Sequence, residues 1–165
     1  MNKAVVIKAS IEYLEQQYLV LENAARQAHN DATHEESVAE TQYDTLGLEA
    51  AFLAQGQSNR AQQIHQDILY FKNLLESQVN TEIQVSKIST DSLVRLVNEN
   101  DEQATYDYLI VKQAGGFKLC INDKTVWVIS QQSPMAKRLM GLTVEDDIEI
   151  RVNQQAISTY IAKIQ

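Results

Sequence analysis

The chain is 165 residues long, 44% hydrophobic and 22% charged, with five glycines and one proline, which suits one medium or two small globular domains built from long elements with little turn material. Its 14 Lys plus Arg against 22 Asp plus Glu give a formal net charge of -8, which argues against binding by broad phosphate neutralisation unless the positive charge is segregated. No apolar stretch approaches the ~20 residues of a membrane-spanning helix, and Met1–Ser10 turns polar too soon for a signal peptide, so a cytoplasmic protein without membrane contact is expected.

From Ile7 the apolar positions run Ile7, Ile11, Leu14, Tyr18, Leu21, Ala25, Ala28 and Ala32, in steps alternating four and three. That is a coiled-coil seam, and its side chains shrink to alanine toward Ala32, where a partner helix could approach more closely. A second run, Leu46, Ala50, Leu53, Ala61, Ile64, Ile68, Phe71 and Leu75, reads as another helix with a polar middle at Gln57 and Ser58. The residues between, Thr33 to Thr45, are too few for a third crossing, so the expectation is an antiparallel two-helix coiled coil over residues 1–79.

After Val79 the period changes from helical to two. Strands are expected at 92–97, 104–112, 117–121, 124–129, 147–152 and 157–164, with turns at Asn98–Asp101, Gly115–Gly116 and Asn122–Asp123. One short helix interrupts them: Ser133 is the N-cap, Pro134 opens the first turn, Gly141 stops it, and Met135, Leu139 and Met140 form its buried face. The expectation for residues 80–165 is an α+β domain, an antiparallel sheet carrying one helix. Cys120 is the one cysteine and has no nearby histidine, so it reads as a buried structural thiol. Phe117 and Trp127, on strands, read as core.

Charge is unevenly placed. Residues 1–79 carry 5 basic and 11 acidic side chains, and between Arg26 and Arg60 stand Asp31, Glu35, Glu36, Glu40, Asp44 and Glu49 with no Lys or Arg. The simple reading is a solvated turn with acids near a helix N-terminus, where the helix dipole favours them. The alternative is an acidic knob at the end of a narrow projection, which gains from a divalent cation or a basic partner. His29 and His34 are five apart and lack zinc-site spacing, whereas oxygen ligands alone favour a shared Mg²⁺. No phosphate loop, nucleophile elbow or carboxylate pair in a catalytic setting is present, so no catalytic residue of its own is expected.

The segment from Ile129 through Ser133, Pro134, Met135, Ala136, Lys137, Arg138 and Leu139 to Gly141, followed by Glu145-Asp146-Asp147-Ile148-Glu149-Ile150, resembles the bacterial transcript-cleavage factors GreA and GreB, as does the order of hairpin and sheet. The resemblance implies an FKBP-like sheet domain docked on RNA polymerase at the rim of its secondary channel, with the coiled coil inserted toward the catalytic Mg²⁺ and only indirect contact with nascent RNA. It also implies that tip acids hold a second Mg²⁺ with its water, a sound route to phosphodiester hydrolysis by the polymerase's own centre. Anchored on Tyr43, the family's Asp position falls on Glu36 and its Glu position on Ala39, with Glu40 one place later. A one-residue offset turns a helical side chain by about 100°. The expectation is therefore polymerase binding with Glu35, Glu36, Glu40 and Asp44 presented to the metal, Mg²⁺ shared at Glu36 and Glu40, and either weak cleavage stimulation or inhibition. Docking is assigned to Ser133, Pro134, Lys137 and Arg138. The family's glycine in the last segment is Glu145 here.

Two rival readings differ in class: a peptidyl-prolyl isomerase on the FKBP-like fold, and a coiled-coil adaptor whose seam pairs with another chain. The finger reading expects a monomer, because its seam is satisfied internally.

Overall fold

In a computed structural model of the chain, residues 1–33, 46–78 and 86–165 are described. Two long helices come first, α1 (Lys3–Thr33) and α2 (Leu46–Gln78), followed by β1 (Leu93–Asn98), β2 (Asp101–Val111), β3 (Phe117–Ile121), β4 (Lys124–Ser130), α3 (Pro134–Leu139), β5 (Asp147–Val152) and β6 (Gln155–Ile164). These form two compact units: Ile11–Lys72, and Met1–Ser10 together with Asn73–Gln165. No described helix is long and apolar enough to cross a membrane.

The helical unit buries part of the predicted seam, with Tyr18, Leu21 and Ala25 only half-buried. Ile11, Leu14, Ala28, Ala61, Ile64, Ile68 and Phe71 are all buried. Glu15 pairs with Lys72 at 2.8 Å and Tyr18 meets the ring of His65 at 5.8 Å, so advancing along α1 means retreating along α2, which makes the pair antiparallel. Leu53, placed in the seam by periodicity, is instead 56% exposed, and Phe52 beside it is exposed as well. Ala61 is the first buried apolar residue of α2 among those described, after the polar break at Gln57 and Ser58.

In the sheet unit the strand order is β3-β4-β2-β1-β6-β5. The sheet is mixed, a correction to the antiparallel expectation: β2 and β4 run parallel, from Asp107 opposite Val126 to Val111 opposite Ser130. The cause is local. Asn122 and Asp123, with φ of 49° and 60°, close a two-residue hairpin that turns β4 back inside β3 and against β2. Alternation fixes faces, but it does not reveal strand direction. Asn153 and Gln154, with φ of 50° and 68°, make a second such turn, so β6 starts at Gln155 and not at residue 157.

α3 lies on one face of the sheet. Val94, Leu96, Ile110, Ile148, Ile150 and Ile161 from the strands cluster with Ala136 and Leu139 from the helix, and Ile88 joins them. Fully burying such side chains stabilises by roughly 1.5–3 kcal/mol each before entropy is counted. Met140, assigned to this buried face by sequence, is 38% exposed. It is the C-cap, at φ -55° and ψ 129°, so the chain has already left the helix and Ala136 takes the inward place.

Strand residues of opposite parity, among them Leu93, Leu109, Val126 and Val128, are buried on the second face. Met1 lies against that face, lining a cavity of about 10 Å³ with Leu93, Arg95, Asp107, Lys163 and Gln165, room for a single water.

Candidate functional site

The four acids expected at the hairpin end, Glu35, Glu36, Glu40 and Asp44, lie outside the described residues, as does the boundary at residues 79 and 80. Among the described residues no group of three or more His, Cys, Asp and Glu is arranged to hold a metal ion. What the structure does place is the α3 region, the acidic segment after it, and two buried aspartates.

α3 is short and its ends are fixed by sequence. The Ser133 hydroxyl accepts from the Ala136 N–H at 3.2 Å, and Pro134 occupies the first turn, where a missing N–H costs nothing. Gly141 sits at φ 86°, the left-handed region that favours glycine, and its N–H donates to Ile88 at 2.8 Å while Ile88 donates to Leu142. Ser133 and Pro134 thus build the helix that carries Lys137 and Arg138, both exposed. The two cations divide: Arg138 Nη2 donates to the carbonyl of Glu149 on edge strand β5, satisfying an outward acceptor of the edge.

The following acidic segment is equally ordered. Asp146 accepts from the Thr143 N–H at 2.6 Å and from its hydroxyl at 3.0 Å, and these bonds hold its carboxyl below the usual carboxylate range. Glu145 adopts φ 75°, a left-handed conformation that favours glycine. Its N–H donates to Ile161, which donates back to Asp146.

Two buried carboxylates went unnoticed in the sequence. Asp107 is 2% exposed and takes a two-pronged contact from Arg95 directly across the β1–β2 ladder, Nε to Oδ1 at 2.7 Å and Nη2 to Oδ2 at 2.9 Å. The paired carboxylate raises the Arg95 pKa further still. Asp67 on α2 is 8% exposed and accepts from the Gln63 amide at 3.2 Å; burial pushes its carboxyl above the usual range, with that bond and Arg60 opposing. The signal for both was available: an Asp falling at an inward position of an otherwise apolar pattern.

Two further expectations are corrected. Cys120 is exposed, because alternation along β3 turns Leu119 inward and the thiol outward. Trp127 is 42% exposed and Phe117 only half-buried; Val126 and Val128 fill the buried face of β4, which leaves the tryptophan on the other side with the Lys118 ammonium 5.9 Å from its ring centroid.

Residues 83–165 match the family described as the C-terminal region of transcription elongation factor GreA/GreB. Among solved structures, the chain is similar to a GreA factor homolog 1 (Gfh1) protein of Thermus thermophilus, at 21% identity over 96% of each chain with a TM-score of 0.39. It is similar also to Thermus aquaticus Gfh1, at 21% identity over 95% of this chain and 94% of that one, TM-score 0.40. A third is a GreA/GreB elongation factor of Nitrosomonas europaea, at 18% identity over 57% of this chain and 78% of that one, TM-score 0.39. No curated protein matches the chain.

Proposed function

The chain belongs to the GreA/GreB family of transcription elongation factors, and on that premise we propose that it binds RNA polymerase, with the sheet unit on the rim of the secondary channel and the helical hairpin entering it. The family match over residues 83–165 carries this reading, since it covers the α3 helix and all the strands. The antiparallel seam from Ile11 to Phe71 supports it, because a hairpin satisfied by its own packing is free to serve as an inserted element.

In this proposal Lys137 and Arg138 face the polymerase, while Ser133 and Pro134 act by holding α3 in place. Glu35, Glu36, Glu40 and Asp44 approach the polymerase's catalytic metal, and Glu36 and Glu40 share its Mg²⁺. Any RNA cleavage is then chemistry of the polymerase centre, which the factor either stimulates or obstructs. The isomerase and adaptor readings are not favoured.

The test is addition of the purified full chain to stalled, backtracked polymerase complexes carrying labelled RNA. Shortened transcripts establish stimulation; unshortened RNA with slowed extension establishes occupancy of the channel; neither effect, together with no binding, removes the proposal. Glu36→Ala with Glu40→Ala abolishes the effect and leaves binding intact. Lys137→Glu weakens binding about tenfold without lowering the melting temperature, since Lys137 is an exposed residue of a helix whose cap and buried face are elsewhere.

A further inference from the structure

We propose that the small cavity beside β1 and β6, on the sheet face away from α3, is a chloride site held by Arg95 and Lys163. The cavity, about 10 Å³, is lined by these two residues together with Met1, Leu93, Asp107 and Gln165. The β1–β6 register sets Arg95 directly opposite Lys163, and the β1–β2 register sets Arg95 directly opposite Asp107. One row across three strands therefore reads carboxylate, guanidinium, ammonium. Like charges facing each other across a ladder repel, and the one carboxylate of the row lies on the far side of Arg95 from Lys163.

Lys163 does not relieve this by turning to solvent. With its amide oriented to satisfy both neighbours, Gln165 donates to the Met1 carbonyl at 2.7 Å and accepts from Lys163 Nζ at 3.1 Å, which anchors the ammonium at the cavity. That contact uses one of the three ammonium donors. Among the described residues no carboxylate forms an ion pair with Lys163. Both oxygens of Asp107 already accept from Arg95, through Nε and Nη2, and Nη1 takes no part in that contact. α1, which begins at Lys3, has no acid in its first turn to offer. Two cations thus share one countercharge, and the balance at the cavity is positive. The Met1 ammonium registers it: its pKa is lowered, by burial first and then by Arg95, with Lys163 and Lys124 adding to the effect and Asp107 opposing it.

Size and chemistry select the occupant. The cavity admits one particle about as large as water, and a chloride ion is only slightly larger. Phosphate, sulfate or a carboxylate brings further oxygens that need donors, and the side chains of Met1 and Leu93 have none. Water fills the space but leaves the repulsion in place, whereas chloride accepts from both cations and cancels it. Bound there, the ion ties the end of β6 to β1, which stabilises the sheet unit independently of how the chain meets polymerase.

The test is a thermal melt of the full chain at constant sodium, with gluconate exchanged for chloride and unfolding followed by the fluorescence of Trp127, the only tryptophan. About 100 mM chloride raises the melting temperature by about 5 °C, the response of a site with a dissociation constant on the order of 10 mM. Lys163→Gln, at an exposed position, melts above the wild type in gluconate because the repulsion is gone, and it loses the chloride response. Lys163→Arg keeps that response. Lys118→Gln removes a cation from the opposite sheet face and responds as the wild type does, which separates binding from general screening. The chloride NMR line, broadened by the wild type and not by Lys163→Gln, reads occupancy directly. Absence of a chloride response overturns the proposal, as do equal responses from the wild type and Lys163→Gln. A shift with inorganic phosphate as large as with chloride also overturns it, assigning the cavity mouth to an oxyanion.

Discussion

Among the described residues each unit buries one aspartate, and the two solve the problem of a buried charge differently. In the sheet, Arg95 and Asp107 are directly opposite on neighbouring strands, and that spacing lets a planar guanidinium meet a carboxylate with two parallel bonds. On α2, Asp67 accepts from the amide of Gln63 one turn earlier, and the Arg60 charge offsets burial in part. A sheet brings long-range partners into fixed register. A helix pair offers a buried polar group mostly its own i±4 neighbours, so a carboxylate there stays under-solvated.

The sharpest way to break this contrast is to remove the partner in the sheet. Asp107→Ala leaves Arg95 largely enclosed and unpaired and is expected to cost about 3 kcal/mol, the low end for a broken buried pair because the Arg95 side chain keeps 23% of its exposure. Trp127 fluorescence followed through urea unfolding reads this for the sheet unit. Next is Ser133→Ala, which removes the α3 cap and should cost about 1 kcal/mol by the same measurement. Glu145→Gly should stabilise by about 0.5 kcal/mol, since the φ of 75° strains a side chain and glycine trades that strain for a looser unfolded chain.

The remaining comparison is in pH. Asp67 has a folded pKa raised by burial, so the unfolded chain releases this proton first as pH rises. Its contribution is fully present below the unfolded value of 3.8 and is lost as pH climbs through the raised folded value. Asp67→Asn removes that loss and raises the helical melting temperature at neutral pH. Asp146 has the opposite sign: its lowered folded pKa gives stability above 3.8 that disappears as pH falls through the folded value. Asp146→Asn should flatten the acid limb of the sheet unit's stability curve. Circular dichroism melts of both variants from pH 3 to pH 8 separate the two slopes, and slopes of the same sign would sink this account.

Much of the fold was legible because its signals are local. The step pattern from Ile7 to Ala28 needed only one helix to be read, and Ser133, Pro134 and Gly141 mark both ends of α3 through their own capping chemistry. The errors share a cause. Trp127 and Cys120 were read by residue type, as core, although the alternation of Leu119, Val126 and Val128 already pointed them the other way. Of the candidate site, Lys137 and Arg138 were found as a basic pair, but their division was not, because the Glu149 carbonyl that receives Arg138 lies eleven residues on in another element.

The pairing of two long helices through one seam, the strands with one capped helix that follow, and the acidic excess of the first half can all be read along the chain, because periodicity, capping and charge are properties of neighbouring residues. Long-range packing alone sets β4 parallel to β2, brings Arg95 to Asp107 and turns the lone tryptophan outward. Those outcomes depend on which strands become neighbours, and strand adjacency is set by burying both faces of the sheet at once.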